Sequence, residues 1–80
     1  MTPPAASLDL RGVSCPLNYV KTRVALDRVG PGAVVEVLVD AGEPADNVPR
    51  SCEEDGFPVL SITAEGDAVR VRVLNPAHPG

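Results

Sequence analysis

The chain predicts an α/β fold: a two-layer sandwich of order β-α-β-α-β-β, with both helices on one face of a mixed four-stranded sheet. Three observations lead there. Short β-branched runs and helix-compatible stretches alternate along the 80 residues. The last run alternates Val69, Val71 and Val73 with Arg70 and Arg72, so one sheet face meets water and both helices belong on the other. Glu65-Gly66-Asp67, just before that run, reads as a hairpin turn joining the last two strands.

Each element follows in order. Residues 8–10 begin a short strand, and Gly12 to Ser14 turn the chain. Residues 16–29 read as a helix, with Pro16 at its first position and Cys15 at its cap, closed by Gly30-Pro31-Gly32. Residues 33–39 are nearly continuous in valine and predict a central strand. A second helix spans about residues 44–55, kinked at Pro49 and ended by Gly56. Residues 59–64 and 68–74 are the hairpin strands; the first places Leu60 and Ile62 on one face, with Ser61 and Thr63 opposite. Residues 1–7 and 75–80 read as flexible tails around a single domain of residues 8–74.

The first helix carries two stripes. Asn18, Thr22, Ala25, Leu26 and Val29 share the side expected to face the sheet. Leu17, Val20 and Val24 form a second stripe, flanked by Lys21 and Arg28. Either the second helix and nearby loops cover this stripe, or it stands exposed beside Cys15 and docks a partner protein.

Composition removes several function classes. The net charge is −4, with seven Lys and Arg against eleven Asp and Glu, which opposes the phosphate neutralisation that nucleic-acid binding requires. One Phe, one Tyr and no Trp exclude base stacking on an aromatic platform. No apolar run is long enough to span a bilayer, and the first residues lack the basic and apolar parts of a secretory leader, so a cytoplasmic location is expected. His78 is the sole histidine and lies in the expected tail; no metal-ligand spacing, Ser-His-Asp set or phosphate loop occurs, and no cofactor is implied.

A thiol therefore remains as the reactive group. Cys15 at a helix start faces backbone N–H groups and the positive end of the helix dipole, which favour the anion. Arg11 and Lys21, close in sequence, add positive charge, whereas Asp9 and Arg11 together are expected to orient the loop. Cys52, followed by Glu53, Glu54 and Asp55, is expected to be a structural thiol. Arg70 and Arg72 are read as a solvated face, with docking of an acidic partner as the alternative. A nucleophile without a base suits a carrier whose partner completes the chemistry.

The run Leu8-Asp9-Leu10-Arg11-Gly12, then Cys15-Pro16 after two residues, then a helix ending at Pro31-Gly32 and a β-α-β-β remainder, resembles the TusA/SirA-like family of small sulfur-carrier proteins across residues 8–74. The resemblance implies a two-layer α/β sandwich and a cysteine, here Cys15, that accepts sulfane sulfur as a persulfide and relays it to an acceptor protein. It implies a donor of cysteine-desulfurase or rhodanese type, and routes such as tRNA thiolation, molybdenum-cofactor biosynthesis or sulfur oxidation. On that basis Arg11, Pro16, Leu17 and Asn18 support the sulfur, with the N–H groups of Leu17 and Asn18 holding a persulfide anion, and the donor docks over Leu17, Val20, Lys21 and Val24. The family usually reads Cys-Pro-x-Pro, and Asn18 replaces the second proline. Two rivals stand beside this reading: a thiol-based redox or regulatory module acting through Cys15, and an interaction domain in which the Leu17/Val20/Val24 stripe alone matters.

Overall fold

The computed structural model describes residues 3–76. Six elements appear in the expected order: β1 (Ala6–Asp9), α1 (Leu17–Val29), β2 (Val34–Asp40), α2 (Glu43–Glu54), β3 (Val59–Glu65) and β4 (Ala68–Leu74). The sheet order is β1-β2-β4-β3, with β1 parallel to β2 and the two remaining pairings antiparallel. The parallel pair is joined through α1, the connection such a pair requires.

Both helices pack on one sheet face. Leu26 of α1 and Val48 and Cys52 of α2 close over Val35, Val37 and Val39 of β2 and Val69, Val71 and Val73 of β4, in one buried cluster. Each fully buried aliphatic side chain contributes roughly 1.5–3 kcal/mol. The opposite face carries Glu36, Arg70 and Arg72. Arg70 donates to Glu36 at 2.6 Å and to Glu65 at 2.5 and 2.8 Å, and Arg72 lies 3.8 Å from Glu36. The expected solvated arginine face is therefore corrected to a half-buried ladder of ion pairs. Its cause is the register, which sets Glu36 directly opposite Arg72.

Several boundaries move. β1 opens at Ala6, because Ala6 and Ser7 pair with Val35 and Glu36, so two residues of the expected tail belong to the sheet. Asn75, assigned to the other tail, is tied in three ways: its side chain donates to the Leu26 carbonyl at 2.7 Å, its amide to Ala33, and its carbonyl accepts from Gly32. His78 lies outside the described residues. The second helix is unbroken from Glu43 to Glu54 although Pro49 falls inside it, and the buried Pro49 ring adds to its inner side. In β3 a register shift between Val59 and Ser61 interrupts the simple alternation. Leu60 and Ile62 are left 53% and 55% exposed on this edge strand.

α1 ends where the sequence says it should. Gly30 takes φ +81°, a conformation costly for any residue with a Cβ. Its start differs. Pro16 is the N-cap and Leu17 the first helical residue, since the Pro16 carbonyl accepts the bond from the Val20 amide at 3.1 Å. The helix thus begins one residue later than expected, and Cys15 precedes the cap. The Cys15–Pro16 peptide is cis.

Candidate functional site

The loop between β1 and α1 is pinned from several sides. Leu10, buried, donates its amide to Leu38 at 2.8 Å and accepts from the Val13 amide at 3.1 Å. The Gly12 amide donates to the Asp40 carboxylate at 2.8 Å, which ties the loop to the end of β2. Gly12 itself turns at φ +79°, where a side chain would be strained. Arg11 closes a two-pronged bond on Asp9, at 2.9 and 2.7 Å, and its amide adds a third contact at 3.2 Å. The guanidinium holds the Asp9 carboxyl down to about 2. Arg11 thus orients the loop as expected, but its charge is matched by Asp9, so it is not the free positive source beside the thiol that the sequence suggests.

Cys15 is exposed at the end of this loop, and Cys52 is buried in α2; both are free thiols. Burial, with Asp55 and Glu53 adding to it, pushes the Cys52 thiol up to about 11. The two cysteines therefore occupy opposite environments, one open to solvent and one packed in the core.

The first turn of α1 follows directly on Cys15 and Pro16. No acidic side chain stands in that turn. The Asn18 amide donates to the Ser14 carbonyl at 3.1 Å, and the Tyr19 amide to the Asn18 side-chain oxygen at 2.7 Å. Among the described residues this leaves the Leu17 amide as the unpartnered N–H of the turn, since Pro16 has none. The expectation that Leu17 and Asn18 both offer amides is corrected accordingly: Asn18 is fully buried and its amide is committed. Its side-chain Nδ2 has no hydrogen-bond partner.

The two stripes of α1 resolve clearly. Asn18, Thr22 and Leu26 are buried, and the Thr22 hydroxyl donates to the Asn18 carbonyl at 2.9 Å. Leu17, Val20 and Val24 are 50%, 47% and 44% exposed. α1 therefore hides two polar residues and shows three aliphatic ones, the reverse of an ordinary surface helix. The alternative in which α2 covers the outer stripe is excluded. α2 instead engages the flank of α1, where Tyr19 donates to Asp55, and Arg23 bonds Asp55 at 3.2 Å and lies over the Phe57 ring at 4.9 Å.

Beside the stripe, a groove of about 520 Å³ runs between α1 and β1, lined by Leu8, Val20, Lys21, Val24, Arg28 and Val29 among others. Sequence reasoning found the stripe and the thiol. It missed Asp40 and the groove, because both depend on the pairing of β1 with β2, residues 29 apart in sequence.

The arrangement matches known proteins. The profile of the family "Sulfurtransferase TusA" covers residues 6–74. The chain belongs to the TusA family. It is 35% identical over 60 residues to a protein of Archaeoglobus fulgidus named "Putative sulfur carrier protein", covering 75% of this chain and 68% of that one. It is 31% identical over 67 residues to "Putative sulfur carrier protein YedF" of Escherichia coli, covering 84% and 87%. The SirA-like protein of Desulfitobacterium hafniense superposes with a TM-score of 0.77 at 25% identity, over 89% of this chain and 97% of that one. Among the described residues no helix is long and apolar enough to cross a membrane.

Proposed function

We propose that this TusA-family chain is a sulfur carrier that accepts sulfane sulfur on Cys15 and relays it to an acceptor protein. One observation carries the reading: the exposed thiol of Cys15 ends a pinned loop and leads into a helix turn whose Leu17 amide has no partner. The names of its relatives support the same role.

The chemistry is an exchange without net oxidation. The Cys15 thiolate attacks the outer sulfur of a donor persulfide; the new S–S bond forms on Cys15 as the donor's own S–S bond breaks, and the donor leaves as a thiolate. An acceptor thiolate then attacks the outer sulfur on Cys15, and Cys15 leaves in turn. The terminal sulfur is anionic, and the unpartnered Leu17 N–H at the positive end of α1 supports a role in stabilising it. Pro16 supplies the cap without a competing amide. Arg11, through Asp9, positions the loop, and Lys21 supplies unpaired positive charge on the next turn of α1. A cysteine desulfurase or a rhodanese-type enzyme suits the donor role, docking over Leu17, Val20, Lys21 and Val24. No general base is needed, since thiolates serve as both attacking and leaving groups.

Peptide mapping tests this. After incubation with a cysteine desulfurase and cysteine, or a rhodanese and thiosulfate, followed by alkylation, the peptide bearing Cys15 should carry one additional sulfur. A modified Cys52 peptide with an unmodified Cys15 peptide would overturn the assignment. Oxidation of Cys15 to a mixed disulfide or sulfenic acid, without sulfur uptake from either donor, would favour the redox module instead.

A further inference from the structure

We infer that the α1/β1 groove receives an extended apolar segment, bounded by carboxylates, of the protein with which Cys15 exchanges sulfur, laid along the free edge of β1. This deepens the carrier reading and rests on it for the partner's role.

Three observations converge on the groove. The first is the inversion of α1: Val20 and Val24 are about half exposed while Asn18 and Thr22 are buried, so the apolar wall of the groove is not a consequence of core packing. Such a wall marks a contact surface. The second is the position of β1. It is an edge strand that pairs with β2 on one side, and its inward side chains Ala6 and Leu8 form the groove floor. A free strand edge beneath an apolar helix wall suits an added strand, whose backbone pairs with the edge and whose alternate side chains enter the groove.

The third observation fixes the charge of the occupant. In a chain of net charge −4, four of the seven cations are spent on carboxylates, Arg11 on Asp9, Arg23 on Asp27 and Asp55, Arg70 on Glu36 and Glu65, and Arg72 on Glu36, while Arg50 on α2 bonds Asn47 at 3.5 Å. Lys21 and Arg28, both exposed and both lining the groove, have no ion-pair partner among the described residues. Seven residues apart on a helix, they stand about 10 Å from one another along its axis. Asp9 also lines the groove, but Arg11 holds its carboxylate, so an apolar segment bounded by carboxylates meets both cations and the aliphatic wall between, whereas a basic segment meets two uncompensated like charges. The groove follows α1 away from its N-terminus, where Cys15 lies, so a seated segment holds its protein beside the thiol without covering it.

The test uses the intact chain and two short probe peptides of alternating valine and threonine, one ended on both sides by glutamate and one by lysine. Amide chemical shifts follow the titrations. The wild-type chain should bind the glutamate peptide about tenfold more tightly than the lysine peptide, a difference of about 1.4 kcal/mol. The shifts should centre on Ala6, Leu8, Val20, Val24 and Val29. The double variant Lys21→Glu/Arg28→Glu alters two exposed, unpaired side chains and should keep its fold, and its preference should reverse. Equal binding of both peptides, binding of neither, shifts confined to β3, or occupation of the groove by a second copy of this chain would each overturn the inference. Sulfur loading from a cysteine desulfurase with cysteine, and from a rhodanese with thiosulfate, is measured in parallel. Its absence would overturn the carrier reading and leave the peptide result to be judged on its own.

Discussion

Asn18→Pro is the substitution that weighs the local energetics of the site most directly, because it places at this position the residue usual in the family. Two hydrogen bonds are lost. The Asn18 amide no longer reaches the Ser14 carbonyl, but Ser14 is exposed and water replaces the donor, so about 0.5 kcal/mol is at stake. The Tyr19 amide loses the Asn18 oxygen at 2.7 Å, worth about 1 kcal/mol. Against this, the substitution removes the buried Nδ2 that has no partner, whose desolvation costs about 1–3 kcal/mol. Proline also narrows the unfolded ensemble, worth about 0.4–1 kcal/mol where helical φ is already adopted. The balance runs from neutral to a stabilisation of about 2.5 kcal/mol. Urea denaturation should therefore show an unchanged slope with an equal or higher midpoint. A loss of about 2 kcal/mol or more would refute the reasoning, because it would mean that the two bonds outweigh the unsatisfied amide.

Other outcomes follow from the same geometry. An aromatic disulfide reagent should modify Cys15 rapidly in the native chain and Cys52 only on unfolding, since Cys52 is buried and its thiol is pushed up to about 11; equal rates would contradict this. Leu26→Ala empties a fully buried site between α1 and the sheet and should cost about 2–5 kcal/mol by urea denaturation, whereas Val20→Asp on the open stripe should leave the midpoint nearly unchanged. The Asp9–Arg11 contact carries a pH signature. A carboxyl lowered to about 2 contributes to loop order above its unfolded value near 4 and loses that contribution as pH falls toward 2. The Arg11 amide, which donates to Asp9, should therefore hold its chemical shift down to about pH 3, and a midpoint near 4 would show the contact absent in solution.

Much of this was legible in the sequence because local chemistry decides it. Val69, Val71 and Val73 alternate with two arginines, and the structure buries all three valines on the helix side. Gly30-Pro31 ends α1, and Gly66-Asp67 turns the final hairpin. The TusA-family pattern around Cys15-Pro16 was readable for the same reason, since its parts sit within a few residues of one another. What escaped depends on pairing at long range. Asp40 anchors Gly12 only because β1 lies parallel to β2, and Glu36 neutralises Arg70 and Arg72 only in the β2/β4 register. Asn18 was legible as a sheet-facing residue, but its bonds were not: its oxygen takes the Tyr19 amide and its own amide goes to Ser14, which periodicity does not reveal. The helix turn thus offers one N–H where two were expected.

The central claim is that Cys15 alone carries the sulfur. Whole-protein mass spectrometry of the wild type, Cys15→Ser and Cys52→Ser, each incubated with a cysteine desulfurase and cysteine, tests it. The wild type and Cys52→Ser should each gain the mass of one sulfur atom, and Cys15→Ser none. Loading of Cys15→Ser equal to wild type, or a wild type left unchanged, would contradict it.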